Sequence, residues 1–382
     1  MAMPLSNHSQ PTSGERSYRI AVIPGDGIGQ EVVREGLKVL RSVTAGDVNL
    51  SLSFESFPWG CDYYLKYDRM MPEDGLEQLR TFDAIYFGAV GWPTVPDHVS
   101  LWGLRLAICQ GFDQYANVRP ARLLPGVRGP LRDRTPEEID FIVVRENTEG
   151  EYSGAGGRVH QGTPQEVAIQ TSVFSRYAVE RVIQYAFELA RSRPRHRLTN
   201  VTKSNAQQYS MVLWDEIFHA TAERYPDIAT EERLVDAMTT RMVLHPETLD
   251  VVVGSNLHAD ILTDLAGALS GSLGLAPSAN LNPERRFPSM FEPVHGSAPD
   301  IAGQGIADPI AAVWSAAMML DFLGEPDAAA AIMRAIERVT ETGAVLTPDL
   351  GGTATTTDVG DALAAAVSLE SGAGDRAKQS TR

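Results

Sequence analysis

Several things are scarce in this chain, and each scarcity excludes a class of protein. Two cysteines, Cys61 and Cys109, stand in 382 residues. Two thiols build neither a disulfide framework nor a cysteine-rich zinc site, and they fit a reducing cytoplasm. No stretch reaches about 18 apolar residues, so no membrane-spanning helix is expected. The N-terminal MAMPLSNHSQPTSGERS lacks the apolar centre of a secretory signal. Positive charge is in the minority, with 33 Lys and Arg against 49 Asp and Glu, a formal net charge of -16. No basic cluster interrupts that acidity, which argues against nucleic acid as a partner. Internal repeats and low-complexity linkers are also missing. So is GxGxxG spacing: PGDGIGQE (24–31) sets Gly25, Gly27 and Gly29 two apart, which reads as a tight strand-to-helix turn using positive φ.

What is present is the composition of a soluble globular protein, 43% hydrophobic and 21% charged. The length allows two domains and a large core. Polar ends, residues 1–17 and 368–382, are expected to be mobile tails. Between them strand and helix patterns alternate. RIAVIP (19–24), DAIYFGAV (83–90), DFIVVREN (140–147) and LDVVVGSN (249–256) are short apolar runs of the buried-strand kind. EVVREGLKVLRSV (31–43), YAVERVIQYAFELARS (177–192), MVLWDEIFHATAERY (211–225) and a stretch through ILTDLAGAL have helical periodicity, and AAVWSAAMMLDFLG (311–324) reads as a buried helix. Apolar strands alternating with helices predict an α/β fold with a mainly parallel sheet. With no linker to mark it, any division into two domains is expected to be discontinuous.

Four segments hold residue types suited to chemistry. In SNLHADILTDLAG (255–267), Asp260 and Asp264 lie four apart on a predicted helix, so both carboxylates leave one face. Like charges so placed repel unless a cation lies between them, and a hard divalent ion suits oxygen ligands. A pair on a solvated face is the plainer alternative. Asp236 in LVDAMTT is a third carboxylate of the right type, and His258 is more plausibly an ordinary helix histidine. In VRENTEGEYSG (144–154), Arg145, Glu146, Glu149, Glu151 and Tyr152 follow a strand, where α/β folds gather ligands. An arginine fork suits a carboxylate, and a tyrosine suits general acid work if a cation lowers its pKa; a polar surface loop is the plainer alternative. Lys203 in NVTKSNAQQYS (200–210) is a candidate base at another strand end. The loop FEPVHGSAPDIAGQGIADP (291–309) is long and rich in small residues, which permits close backbone approach to a ligand. Asp300 there has the chemistry to bind ribose hydroxyls, and His295 to meet an adenine.

Taken in order, IPGDGIGQE, FDQYANVRP, VRENTEGEY, TKSNA, VDAM, NLHADILTDLAG and FEPVHGSAPDIAG resemble the β-decarboxylating dehydrogenases of the isopropylmalate and isocitrate type over about residues 18–367. GAVGWPTVPDHVSLWG (88–103) is most similar to the tartrate and D-malate branch of that family. The resemblance implies an isopropylmalate-dehydrogenase-like two-domain fold distinct from a Rossmann fold. Residues 18–114 with 272–367 would form a large discontinuous domain, and 115–271 a central domain for dimerisation and substrate. It implies NAD-dependent oxidative decarboxylation of a malate-type 2-hydroxy acid, with Mg²⁺ or Mn²⁺ and K⁺ as a further candidate ion. By position, Lys203 resembles the base and Tyr152 the acid. Asp236, Asp260 and Asp264 resemble metal ligands, Asp236 also touching substrate. Arg119 and Arg145 resemble carboxylate clamps. His295, Gly296, Ser297, Ala298, Asp300, Ile301 and Asp308 resemble the adenosine site, with Asp300 favouring NAD over NADP. A homodimer is implied whose active site takes Lys203 and Asp236 from the second copy.

Two departures stand out. A third clamp arginine usual in the family is Cys109 here, and four residues earlier, where leucine is usual, stands Arg105. Arg105 either replaces the missing clamp, reads a different group of the substrate, or faces solvent while Cys109 packs. The departure leaves open an unusual substituted malate, isopropylmalate-like or tricarboxylic, and more remotely a non-catalytic NAD-binding protein. At the adenine side Asp308 stands for an asparagine, at the cost of an amide donor and with an added charge.

Overall fold

A computed structural model describes residues 14–379, with side chains as far as Glu370. Its frame is one ten-stranded sheet. The strands, in chain order, are β1 (Arg16–Gly25), β2 (Leu50–Ser56), β3 (Ala84–Ala89), β4 (Ala116–Arg122), β5 (Asp140–Glu146), β8 (Arg197–Thr202), β9 (Ala229–Leu234), β10 (Val251–Gly254), β11 (Pro277–Leu281) and β12 (Ser289–Pro293); β6 (Gly156–Val159) and β7 (Val167–Gln170) form a separate hairpin. Across the sheet the order is β2-β1-β3-β12-β11-β4-β5-β10-β8-β9. Both outer parts are parallel, while β12, β11, β4 and β5 pair antiparallel at the centre. The architecture is the mainly parallel α/β sheet expected, with an antiparallel seam joining its halves.

The elements follow from their apolar spacing. In the helix Gly29–Gly46, Val32, Val33, Gly36, Val39, Leu40 and Val43 are buried, the stripe of one helical face. Gly36 is small for a reason: a Cβ there would lie 1.9 Å from the Tyr86 hydroxyl, which reaches past the helix to donate to the Ala312 carbonyl at 2.8 Å. The helix Ile310–Leu323 is buried on nearly every side, as its uniform apolar sequence predicts. Each of its larger side chains removed from water contributes about 1.5–3 kcal/mol. Among the described residues no helix is long and apolar enough to cross a membrane.

Secondary structure extends into both polar ends. Strand β1 starts at Arg16, inside the predicted tail, because Arg16 pairs with Asp47 and Glu325, each at 2.6 Å. The last helix, Thr356–Gln379, continues through most of the stretch expected to be mobile from residue 368. Residues 1–13 and 380–382 lie outside the described residues.

Candidate active site

Register builds the site. Residues directly paired across strands face the same side of a sheet. Glu292 of β12 pairs with Ser278 of β11, Asn280 of β11 with Asn117 of β4, and Asn117 with Arg145 of β5. Arg119 is two residues beyond Asn117 and shares its face. One side of the antiparallel seam therefore presents Glu292, Ser278, Asn280, Asn117, Arg119 and Arg145 together. Helix Asn256–Leu269 follows β10 and brings Asp260 and Asp264 over them. The short turn Glu151–Ser153, entered through Gly150 at φ 70°, brings Tyr152. Arg119, Arg145, Ser278, Glu292, Tyr152, Asp260 and Asp264 line a pocket of about 250 Å³ with Arg105 and with Gly296 of the 291–309 loop, while Asn117 and Asn280 are buried behind it.

Hydrogen bonds hold the arginines in place. Arg119 Nε donates to Asn117 at 2.7 Å and Nη1 to Thr263 at 2.6 Å. Arg145 Nε donates to Asn256 at 2.9 Å, and Nη1 pairs with Asp260. Arg105 donates through Nε to Glu292 Oε1 at 2.8 Å and through Nη2 to Asn280 at 3.3 Å. Asn280 in turn accepts from Asn117 and Asn147, at 2.9 and 3.0 Å, and donates to Glu292 at 2.7 Å. This buried amide network, with Asn256 and Thr263, was missed in the sequence because only strand pairing assembles it.

The electrostatics keep Tyr152 protonated and Asp260 ionised. Tyr152 donates to Asp260 Oδ2 at 2.8 Å. Burial and then the Asp260 charge push the phenol up, so it keeps its proton. Burial works to raise Asp260, but Arg145, Arg119 and the Tyr152 hydroxyl hold it below the usual carboxylate range. Burial, with the charge of Arg145, pulls Arg119 down to about 10, which leaves it cationic at neutral pH. Burial and the charge of Asp260 push Asp264 up. Asp264 has no hydrogen-bond donor among the described residues and lines the pocket. Two carboxylates that repel across one turn, one of them without a donor, fit a divalent cation.

Lys203 and Asp236 are elsewhere. Strands β8 and β9 run parallel, Thr202 opposite Leu234. Lys203 follows one residue after Thr202 and Asp236 two after Leu234, and Nζ meets Oδ1 at 2.5 Å. Neither lines the pocket, and Asp236 keeps 66% of its side chain exposed. Among the described residues no three His, Cys, Asp or Glu side chains of one chain converge to hold a metal ion. His258 is buried on the inner face of its helix and burial lowers its pKa. The acidic residues near Tyr152 shape its loop: Glu146 accepts from Thr148 and Glu149 backbone N–H at 2.8 and 2.9 Å, Glu149 accepts from Ser175, and Glu151 accepts from Ser172 at 2.9 Å.

The PGDG turn and the 291–309 loop form one unit. Gly25 and Gly27 have φ of 68° and 54°, as read from their spacing. Ile28 N–H donates to the Ser297 carbonyl at 3.0 Å. Glu31 accepts from Gly303 and Gly305 backbone N–H at 2.6 and 3.1 Å. The loop leaves Asp300 exposed and Ile301 half-buried; Ser297 is buried and Ala298 takes φ 38°. His295 Nε2 has no partner among the described residues, and Gly296 borders open space. A polar ligand fits such a cradle. Asp308 lies at the end of this loop. It is buried, Oδ1 accepts from Ile310 N–H at 2.8 Å, and Oδ2 has no partner. Burial, then Asp349, pushes its carboxyl well up.

Arg105 does not face solvent, and Cys109 is fully buried behind it. Burial pushes the thiol up to about 11, which keeps it protonated at neutral pH.

Known proteins share this arrangement of chain. A family described as isocitrate/isopropylmalate dehydrogenase matches residues 19–363. The chain is 60% identical over 352 residues to a probable tartrate dehydrogenase/decarboxylase of Agrobacterium vitis, covering 92% of this chain and 98% of that protein. It is 57% identical over 355 residues to the decarboxylating D-malate dehydrogenase of Escherichia coli strain K12, covering 91% and 98%. The crystal structure of isocitrate dehydrogenase from Methylococcus capsulatus matches with a TM-score of 0.82 at 36% identity, over 92% of this chain and 99% of that one. With that match running from β1 into the last helix, the chain belongs to the isocitrate/isopropylmalate dehydrogenase family.

Proposed function

We propose that the protein is an NAD- and divalent-metal-dependent dehydrogenase that oxidises and decarboxylates a small malate-type acid, D-malate or tartrate. The observation that carries this reading is the convergence of Arg105, Arg119 and Arg145 on Tyr152, Asp260 and Asp264 in one pocket that also touches the 291–309 loop. Three guanidinium groups recognise carboxylates. Asp260 and Asp264 would hold Mg²⁺ or Mn²⁺. When bound, the metal would supply Lewis acidity at the C2 oxygen, and NAD, held by the 291–309 loop, would supply the acceptor for the C2 hydride. Lys203 takes the hydroxyl proton, the C3 carboxylate leaves as CO₂, and Tyr152 returns a proton to C3. The products are a 2-keto acid, CO₂ and NADH. The likeness to enzymes named for tartrate and D-malate supports this substrate class over a bulkier substituted malate.

Lys203 and Asp236 sit outside the pocket of their own chain, so we read the working enzyme as a homodimer that exchanges them. We also take the two halves of the sheet as the two domains. The first draws its strands from residues 16–89 and 277–293 and the second from 116–254. The test is a substrate panel with purified protein, NAD and Mn²⁺. NADH and CO₂ should form in equal amounts from D-malate or tartrate, and at least about tenfold more slowly from 3-isopropylmalate and isocitrate. The reading fails if NAD binds yet no malate-type acid reduces it.

A further inference from the structure

We propose that Arg105 is a substrate-carboxylate clamp of this pocket, working from one helical turn before Cys109, and that it restricts the pocket to small dianionic 2-hydroxy acids. This rests on the dehydrogenase reading above. Arg105 ends a single wide turn of π geometry, Leu101–Arg105, and the α-helix Leu106–Gly111 follows. Turns of this kind aim side chains at functional sites. Residues four apart share a helix face, so Arg105 and Cys109 address the same region. Arg105 lines the pocket with Arg119 and Arg145, while Cys109 lies behind it.

The hydrogen bonds leave each of the three arginines with one nitrogen to spare. Arg105 Nη1, Arg119 Nη2 and Arg145 Nη2 have no partner among the described residues, and none of them is sealed from the pocket. The rest of each fork is fixed by a carboxylate, an amide or, for Arg119, the Thr263 hydroxyl, so the spare nitrogens are pre-aimed. Charge limits what they can take. Three guanidinium groups face the carboxylates of Asp260, Asp264 and Glu292. A divalent cation would leave a surplus that two substrate carboxylates match and three overshoot. An apolar C3 substituent would have to bury part of the Arg105–Glu292 pair without pairing either group. Cys109 belongs to the same device. An arginine at that position would set two like charges one turn apart, with Glu292 already engaged by Arg105. A small neutral residue lets Arg105 fold back over it.

The experiment uses the full-length protein in four forms besides wild type: R105L, R105L/C109R, R105K and R105L/E292Q. D-malate kcat/KM is measured with NAD and Mn²⁺. D-malate affinity is measured by calorimetry on the Mg²⁺-loaded protein without NAD, where no turnover occurs. NAD affinity and melting temperature serve as controls. R105L should lower kcat/KM and affinity for D-malate roughly ten- to a hundredfold, the worth of one charged hydrogen bond, with NAD affinity unchanged. R105K should fall between, and R105L/C109R should recover at least about tenfold. R105L/E292Q should melt like wild type yet still bind D-malate weakly. Two results overturn the proposal: R105L within about threefold of wild type in both measurements, or full recovery of D-malate binding in R105L/E292Q, which would make Arg105 merely the counter-ion of Glu292. If wild type turns over no acid, the dehydrogenase reading fails, and calorimetry still judges whether Arg105 holds a dicarboxylate. Absence of D-malate binding to wild type overturns both.

Discussion

At the scale of the residue, environment assigns roles that residue type leaves open. Burial and Asp260 hold the proton of Tyr152 on, and the hydrogen bond to Asp260 keeps the hydroxyl at the pocket, which supports the acid role proposed for it. Tyr152→Phe should therefore lower kcat about 10²–10⁴-fold with a much smaller change in KM for the acid; steady-state kinetics decide, and a kcat within threefold of wild type would remove Tyr152 from the proton path. Asp308 gives a stability prediction. Its folded carboxyl binds a proton more readily than the unfolded one, so it costs nothing below about pH 4 and progressively more as pH rises above that. Asp308→Asn should raise the melting temperature at pH 7–8 by about 2 °C or more, with the gain vanishing near pH 4. A calorimetric gain that ignores pH, or a loss at pH 7, would mean that the ionised carboxylate is accommodated. The acidic residues of VRENTEGEYSG were legible as candidates, but their division into loop-shaping Glu146, Glu149 and Glu151 and pocket-lining Tyr152 required the coordinates.

At the scale of the element, legibility tracks burial. The apolar runs of β1, β3, β5 and β10 and the amphipathic helix Arg176–Ser192 could be read because burial imposes a hydrophobic pattern. Strand β9, ATEERL, lies on a sheet edge with every residue at least partly exposed, and hairpin β6–β7 is exposed throughout, so neither carries such a pattern. The glycine turn was legible as a turn, but not its partner. A Cβ at Gly27 would lie 2.0 Å from the Ser297 carbonyl oxygen, at a φ that L-residues avoid. Gly27→Ala should push the 291–309 loop away, raise KM for NAD at least about tenfold and lower the melting temperature, with less effect on KM for the acid. An unchanged NAD KM in a folded variant would separate this loop from cofactor binding.

At the scale of the molecule, neither Lys203 nor Asp236 lines the pocket of its own chain. Lys203 and Asp236 hold each other on an exposed face. The hairpin also exposes Val159, Val167 and Ile169, at 53%, 48% and 60%, apolar surface suited to a second copy. Subunit exchange tests this. Mixing inactive Lys203→Met with inactive Tyr152→Phe protein, unfolding and refolding together, should restore about a quarter of wild-type activity, because half the dimers then hold one intact site of two. No recovery above the parent variants would place Lys203 in the site of its own chain.

The sequence by itself determined the elements and the family. Hydrophobic period and glycine spacing are local consequences of backbone geometry, and the motif series from IPGDGIGQE to FEPVHGSAPDIAG is carried by the chain directly. Only the tertiary structure decided which strands are neighbours. The antiparallel seam sets Glu292 of β12, Asn280 of β11, Asn117 of β4 and Arg145 of β5 on one face, although they lie up to 175 residues apart in the chain. Pairing register is a long-range property that no local pattern encodes. It also decided Arg105, a charge that solvent would have accepted as readily, and that the fold instead buries against Glu292 at the pocket wall.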